Sequence, residues 1–247
     1  MSDIRIIDET EDFWVIDKPA GLMTHSDGKT TERTVVDWVL EQRPDIALVG
    51  EPWKSPSGEL IPRPGIVHRL DKDTTGALVI AKTQEMYDWL KEQFRARTVE
   101  KEYRAFVHGI IIESSGVVDK PIGRSSADFR RFSAQRGARG VMRDARTKFI
   151  VLNRLTHNTH HFEDWNSNGY SYIALIPETG RTHQLRVHMK ALHHPIVSDP
   201  LYAGSLGKGL GCETIALHAF KLAFPLKDGT TLRFTSPLPS QFTRIVA

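Results

Sequence analysis

Strand-like runs outnumber helical stripes in this chain, and the two do not alternate, which argues against a regular βαβ succession. Short apolar or alternating stretches fall at residues 13–17, 77–81, 100–109, 110–118, 146–155, 170–176, 214–224 and 231–234. Asp228-Gly229, between the last two, is a hairpin-turn signal. Helical spacing is confined to three places. Val35, Val36, Val39 and Leu40 follow Thr34 and Asp37, which stand at capping-box spacing. Met86, Trp89, Leu90 and Phe94 form a second stripe, read as core, and Leu185, Met189 and Leu192 a third. The pattern predicts an α+β fold with a mixed, largely antiparallel sheet. No repeat or linker divides the chain, so a single domain over 1–247 is expected.

Two stretches break this apolar frame with dense polarity. Pro64-Gly-Ile-Val-His-Arg-Leu-Asp-Lys-Asp-Thr-Thr-Gly76 leads directly into Ala77-Leu-Val-Ile-Ala81. Glu178-Thr-Gly-Arg-Thr-His-Gln-Leu-Arg-Val-His188 follows Tyr172-Ile-Ala-Leu-Ile-Pro177. A charged loop leaning on a rigid apolar strand is where scaffolds hold functional groups, although a solvated turn with local ion pairs would look the same. A third stretch, Lys101-Glu-Tyr-Arg-Ala-Phe-Val-His-Gly109, alternates and carries Tyr103.

Composition narrows the class. The 247 residues are 40% hydrophobic and 26% charged, as in an ordinary soluble globular protein long enough for a substantial core. No apolar run is long enough to span a membrane, and the N-terminus lacks the pattern of a signal peptide. The lone Cys212 excludes an internal disulfide and a cysteine-rich zinc site. A cytoplasmic location is expected. The net charge is only +3, yet residues 120–154 hold ten Lys or Arg against Asp128 and Asp144. That density suits a polyanion such as RNA, while charge alone fits a solvated loop equally well. Phe129 and Phe132, set among Arg124, Arg130, Arg131 and Arg136, add side chains on which bases can stack. Residues 44–64, rich in Pro, Gly and Ser and holding Trp53, read as a loop leading toward a site.

Taken in order, His68-Arg-Leu-Asp71 with Thr74-Thr-Gly76, Lys101 to Gly109, and Thr179-Gly-Arg-Thr-His-Gln-Leu-Arg-Val-His188 resemble the three motif blocks of the RluA-type pseudouridine synthases. The likeness runs from Asp17-Lys-Pro-Ala-Gly21 to Leu217-His-Ala219. It implies a catalytic domain with a central RNA-binding cleft, no cofactor and no metal. Some members carry an extra N-terminal RNA-binding module; here the Asp17 turn starts so early that this module is expected to be absent. Two departures stand out: Thr75 where serine is more usual, and Ser198 where His194-Pro-Ile-Val-Ser-Asp199 would usually have glycine.

The resemblance assigns roles residue by residue. Asp71 is the essential carboxylate, acting at the sugar either as a nucleophile or as a base. Arg181 is its cationic partner, keeping the acid ionised against burial. Tyr103 faces the target base. Arg69 helps fill the space left by the flipped uridine or anchors a phosphate, Leu185 lines the uracil pocket, and Arg186 faces phosphate. His68, Asp73, His183, Gln184 and His188 are read as support, and the Asp17–Gly21 turn as structural.

The substrate implied is a stem-loop in transfer RNA or large-subunit ribosomal RNA, bound by a monomer needing no obligate protein partner. Two rival readings differ in class. A non-catalytic RNA-binding or RNA-folding protein would need the basic segment but not the set Asp71, Tyr103 and Arg181. A metal hydrolase would use the histidines at 157, 160, 161, 193 and 194, whose spacing fits no zinc pattern.

Overall fold

The computed structural model describes residues 4–28, 30–55, 58–128, 130–134, 138–156 and 168–246. Phe129, Arg136 and the histidines at 157, 160 and 161 lie outside the described residues. The chain divides into two compact units, one formed by residues 1–100 and 219–237, the other by 101–218 and 238–247.

In the first unit, β1 (Arg5–Glu9) pairs with β2 (Phe13–Lys18), a strand buried along most of its length. A near-continuous apolar run such as Phe-Trp-Val-Ile fits a position covered on both faces. The capping box is present as read: Thr34 and Asp37 exchange side-chain and backbone hydrogen bonds at the start of α1 (Val35–Gln42). Residues 44–64, expected to be loop, contain a 3₁₀ turn at Pro44–Leu48 and a small hairpin of β3 (Trp53–Lys54) and β4 (Leu60–Ile61). β5 (Thr75–Ala81) pairs with β2 from Gly76 to Ala81. α2 (Gln84–Ala96) begins at Thr83, whose hydroxyl accepts from the Met86 amide, and turns its buried Tyr87 and Leu90 toward Phe13, Val79 and Phe224.

In the second unit, β6 (Glu100–His108) begins a series that continues with β7 (Ser115–Asp119). The strand expected over 110–118 therefore starts five residues late. The basic segment, whose charge alone fits a solvated loop, holds among its described residues a three-stranded sheet of β8 (Ile122–Arg124), β9 (Phe132–Ser133) and β10 (Arg139–Arg143), with β8 in the middle. β11 (Arg146–Leu155) and β12 (Tyr170–Pro177) complete the order β6-β12-β11-β7, antiparallel throughout. α3 (Gln184–Ala191) packs Leu185 and Met189 into a core with Phe106, Ile173 and, from α4 (Ser240–Val246) after two further strands, Phe242.

Those further strands are β13 (Leu217–Pro225), of which residues 219–225 belong to the first unit, and β14 (Thr231–Thr235). They are joined by the Asp228-Gly229 turn, where the Asp228 carboxylate accepts from Thr230 N–H. The fold is α+β, as the pattern of runs predicted, and every strand pair with a described register is antiparallel.

Candidate active site

The first polar knot is a loop held at both ends by glycines that admit no side chain. Gly65 (φ +70°) and Gly76 (φ +112°) adopt backbone conformations that L-residues avoid. A Cβ on Gly65 would lie 2.3 Å from the Ala81 carbonyl oxygen, and one on Gly76 at the same distance from that of Ala219. Between them, Asp71 is half-buried and its carbonyl accepts from Thr74 N–H at 3.1 Å, closing a turn within Asp71-Lys-Asp-Thr74. His68 points inward. Its Nε2 accepts from Val79 N–H, and its ring stacks on Phe94 at 4.6 Å.

The segment from Lys18 to His25 braces the knot from outside, which sequence reading missed. Lys18 is fully buried, and its Nζ donates to the carbonyls of Pro19, Leu22 and Lys72 at 2.7–2.9 Å. Burial draws its pKa down to about 7, against the pull of Asp73, Asp71 and Asp17. Thr24 Oγ1 donates to the Leu70 carbonyl and accepts from the Leu70 amide, so it serves as both halves of a strand partner. His25 Nε2 lies 3.3 Å from Nη1 of the exposed Arg69.

The second knot is organised by α3. Gln184 Oε1 accepts from the Thr179 hydroxyl and the Arg181 amide, while its Nε2 donates to the Arg146 carbonyl and Thr147 Oγ1. One turn later on the same helix face, His188 donates from Nε2 to the Lys120 carbonyl and accepts at Nδ1 from the Thr147 hydroxyl. Burial holds the His188 pKa below its ordinary value. The Gly-Arg turn is thereby tied to β11, and Arg181 Nε donates to the Asp144 carbonyl at 3.0 Å. Leu185 is buried, and half-buried Tyr103 on β6, opposite Leu175, packs against the same apolar cluster.

Arg186 stands elsewhere than the phosphate-facing position suggested by its motif. It is 7% exposed, and Nε and Nη2 each donate at 2.8 Å to the two oxygens of Asp199. Such a fork-to-carboxylate pair fixes geometry inside the unit. Its guanidinium also lies over the Tyr202 ring. The Tyr202 hydroxyl meets His183 Nδ1 and accepts from Phe132 N–H, both at 2.9 Å. This pins β9 to the residue after Thr182. Phe132 itself packs under Arg124 and edge-on to His183, which leaves its ring engaged within the protein. Asp128 pairs with Arg130 and Arg131, while Arg139 and Arg143 stand on the exposed strand β10.

Asp71 and Arg69 thus belong to the first unit, and Tyr103, Arg181, Leu185 and Arg186 to the second. The sequence model described as RNA pseudouridylate synthase matches residues 12–191. The chain is 36% identical to the ribosomal large subunit pseudouridine synthase D of Pseudomonas aeruginosa, over 97% of this chain and 70% of that protein. It is 35% identical to an uncharacterized RNA pseudouridine synthase of Synechocystis, over 98% of this chain and 68% of that one. Among solved structures, human RNA pseudouridylate synthase domain containing 4 superposes with a TM-score of 0.68 at 27% identity, covering 97% of this chain and 90% of the human one.

Proposed function

This chain belongs to the RNA pseudouridylate synthase family and is an RNA pseudouridine synthase, and on that premise we propose how its residues share the reaction. The N1–C1′ bond of a uridine breaks, the uracil turns, and C5 bonds to C1′; N1 gains a proton and C5 loses one. No electron is gained or lost. The proposed carboxylate is Asp71, either bonding to the sugar as a nucleophile or removing a sugar proton. Arg181 supplies the guanidinium that favours the ionised acid, and Tyr103 the ring and hydroxyl for the base. Leu185 offers apolar contact to the uracil, and Arg69 occupies the space that the flipped nucleotide leaves.

The observation that carries this reading is the bracing of the Asp71 turn. A glycine at each end, a buried ammonium on the Lys72 carbonyl and a threonine on both polar groups of Leu70 hold one short loop. A solvated turn needs none of this. Preorganisation of that kind is what an acting group requires, since misplacement by about 1 Å can cost 10²-fold in rate.

We take the substrate to be a stem-loop of large-subunit ribosomal RNA, supported by the name of the Pseudomonas relative; transfer RNA is the other class that the motifs allow. The exposed Arg139 and Arg143 of β10 are the candidate phosphate contacts. We further propose a single functional domain over 1–247, acting as a monomer in the cytoplasm. No helix among the described residues is long and apolar enough to cross a membrane. Mapping pseudouridines in ribosomal and transfer RNA from cells with the wild-type gene, no gene, or Asp71→Asn tests the reading. Loss of the same large-subunit site in both altered strains is the expected result. Loss in transfer RNA alone would move the target, and an unchanged map with RNA binding retained would favour a non-catalytic RNA-binding protein.

A further inference from the structure

We propose that His25 is a positioning residue for Arg69, holding the guanidinium in place for the flipped-out uridine through the lone pair on Nε2. The proposal rests on the role given to Arg69 above.

The tautomer follows from the contacts. Nδ1 of His25 lies 2.7 Å from the Ser26 carbonyl oxygen, which can only accept, so Nδ1 carries the proton. Nε2 is then a lone pair, and the Arg69 guanidinium, which can only donate, stands 3.3 Å from it. His25 is 5% exposed, with the Trp53 ring 5.7 Å from its imidazole and tilted against it. Thr24, the preceding residue, holds both backbone groups of Leu70, the residue after Arg69. The pairing is therefore fixed at two adjacent rungs, one through the backbone and one through side chains.

This arrangement is sensitive to one proton. Burial lowers the His25 pKa; the Ser26 carbonyl opposes that, Arg69 and Arg63 add to it, and Asp27 opposes it. At neutral pH the ring is neutral and accepts. As pH falls through its pKa, Nε2 gains a proton, the acceptor is lost, and two cations face each other. The hold on Arg69 is present above that pKa and lost below it.

The test is a double-mutant cycle of His25→Phe and Arg69→Met on an RNA stem-loop substrate, with His25→Gln as the variant that keeps an acceptor but does not titrate. His25→Phe is expected to lower kcat/KM by about five- to ten-fold, within the net range of one hydrogen bond, with no further loss in the Arg69→Met background. His25→Gln should recover most of the activity and remove the acid limb that His25 contributes to the pH profile. Losses that multiply in the double variant, or a normal His25→Phe beside an impaired Arg69→Met, overturn the proposal while leaving the Arg69 reading intact. A normal Arg69→Met overturns that reading and the proposal with it. ¹⁵N spectra of the histidine rings in the unaltered protein should find Nε2 unprotonated at neutral pH, and the His25 titration should move up in Arg69→Met. An Nε2–H tautomer would overturn the proposal without reference to any variant's folding.

Discussion

Lys18 and Lys72 are joined by a 2.9 Å hydrogen bond from the buried ammonium of the first to the main-chain carbonyl of the second. The bond ties the end of β2 to the residue that follows Asp71, and its donor has two more carbonyls to satisfy. Lys18→Met keeps the aliphatic volume and strands all three acceptors. The expected cost is about 3 kcal/mol of stability, read by chemical denaturation, together with a loss of activity as the Asp71 turn loosens.

The same lysine gives a pH signature. Its folded pKa, near 7, lies below the 10.5 of an unperturbed lysine. Between those values the unfolded chain holds a proton that the folded chain lacks, so this group makes stability rise with pH across that window. Denaturation at pH 6.5 and pH 9.5 should show this increment in the wild-type protein and not in Lys18→Met. Equal slopes in the two proteins would contradict the account of Lys18.

Gly76→Ala places a methyl group 2.3 Å from the Ala219 carbonyl oxygen and demands φ near +112° from an L-residue. Strain and clash together are expected to cost about 3 kcal/mol or more, seen as a lowered thermal midpoint. Because β5 starts at Thr75, relief would have to move the strand that carries the loop.

Tyr202→Phe removes one hydroxyl that serves both Phe132 N–H and His183 Nδ1. The expected loss is about 1–2 kcal/mol. Faster hydrogen exchange at the Phe132 amide would locate it, and an unchanged exchange rate there would contradict the contact.

Ser198 sits at φ +58°, a position that glycine would occupy without strain, and its hydroxyl donates to the Cys212 carbonyl at 2.6 Å. The bond offsets the strain, which explains how serine is tolerated there. Ser198→Ala keeps the strain and loses the bond, for about 1–2 kcal/mol; Ser198→Gly loses the bond but relieves the strain, and should cost less. Thermal denaturation of the two variants side by side gives the order.

Much of this was legible from local pattern. The Thr34–Asp37 cap, the α2 and α3 stripes and the Asp228-Gly229 turn are written in residues a few positions apart, where spacing alone carries the information. What was hidden depends on partners far along the chain. Burial of Lys18 requires the carbonyl of Lys72, fifty-four residues on, and lysine is among the residues least often buried. The β8–β10 sheet was obscured because its charge reads as solvated loop, while its apolar anchors, Ile122 and Phe132, pack with Val187 and Tyr202 more than fifty residues away. Arg186 looked like a phosphate ligand because its motif is basic. Asp199, thirteen residues on, supplies the carboxylate that turns it inward.

We propose that Asp71 acts on the sugar of a uridine in RNA. Release of tritium from RNA labelled at C5 of its uridines measures that step directly, since C5 gives up its hydrogen when it bonds to C1′. Purified wild-type protein should release tritium from a large-subunit ribosomal RNA stem-loop, and Asp71→Asn, folded and binding the same RNA, should release none above background. Tritium release by Asp71→Asn at the wild-type rate would contradict the account.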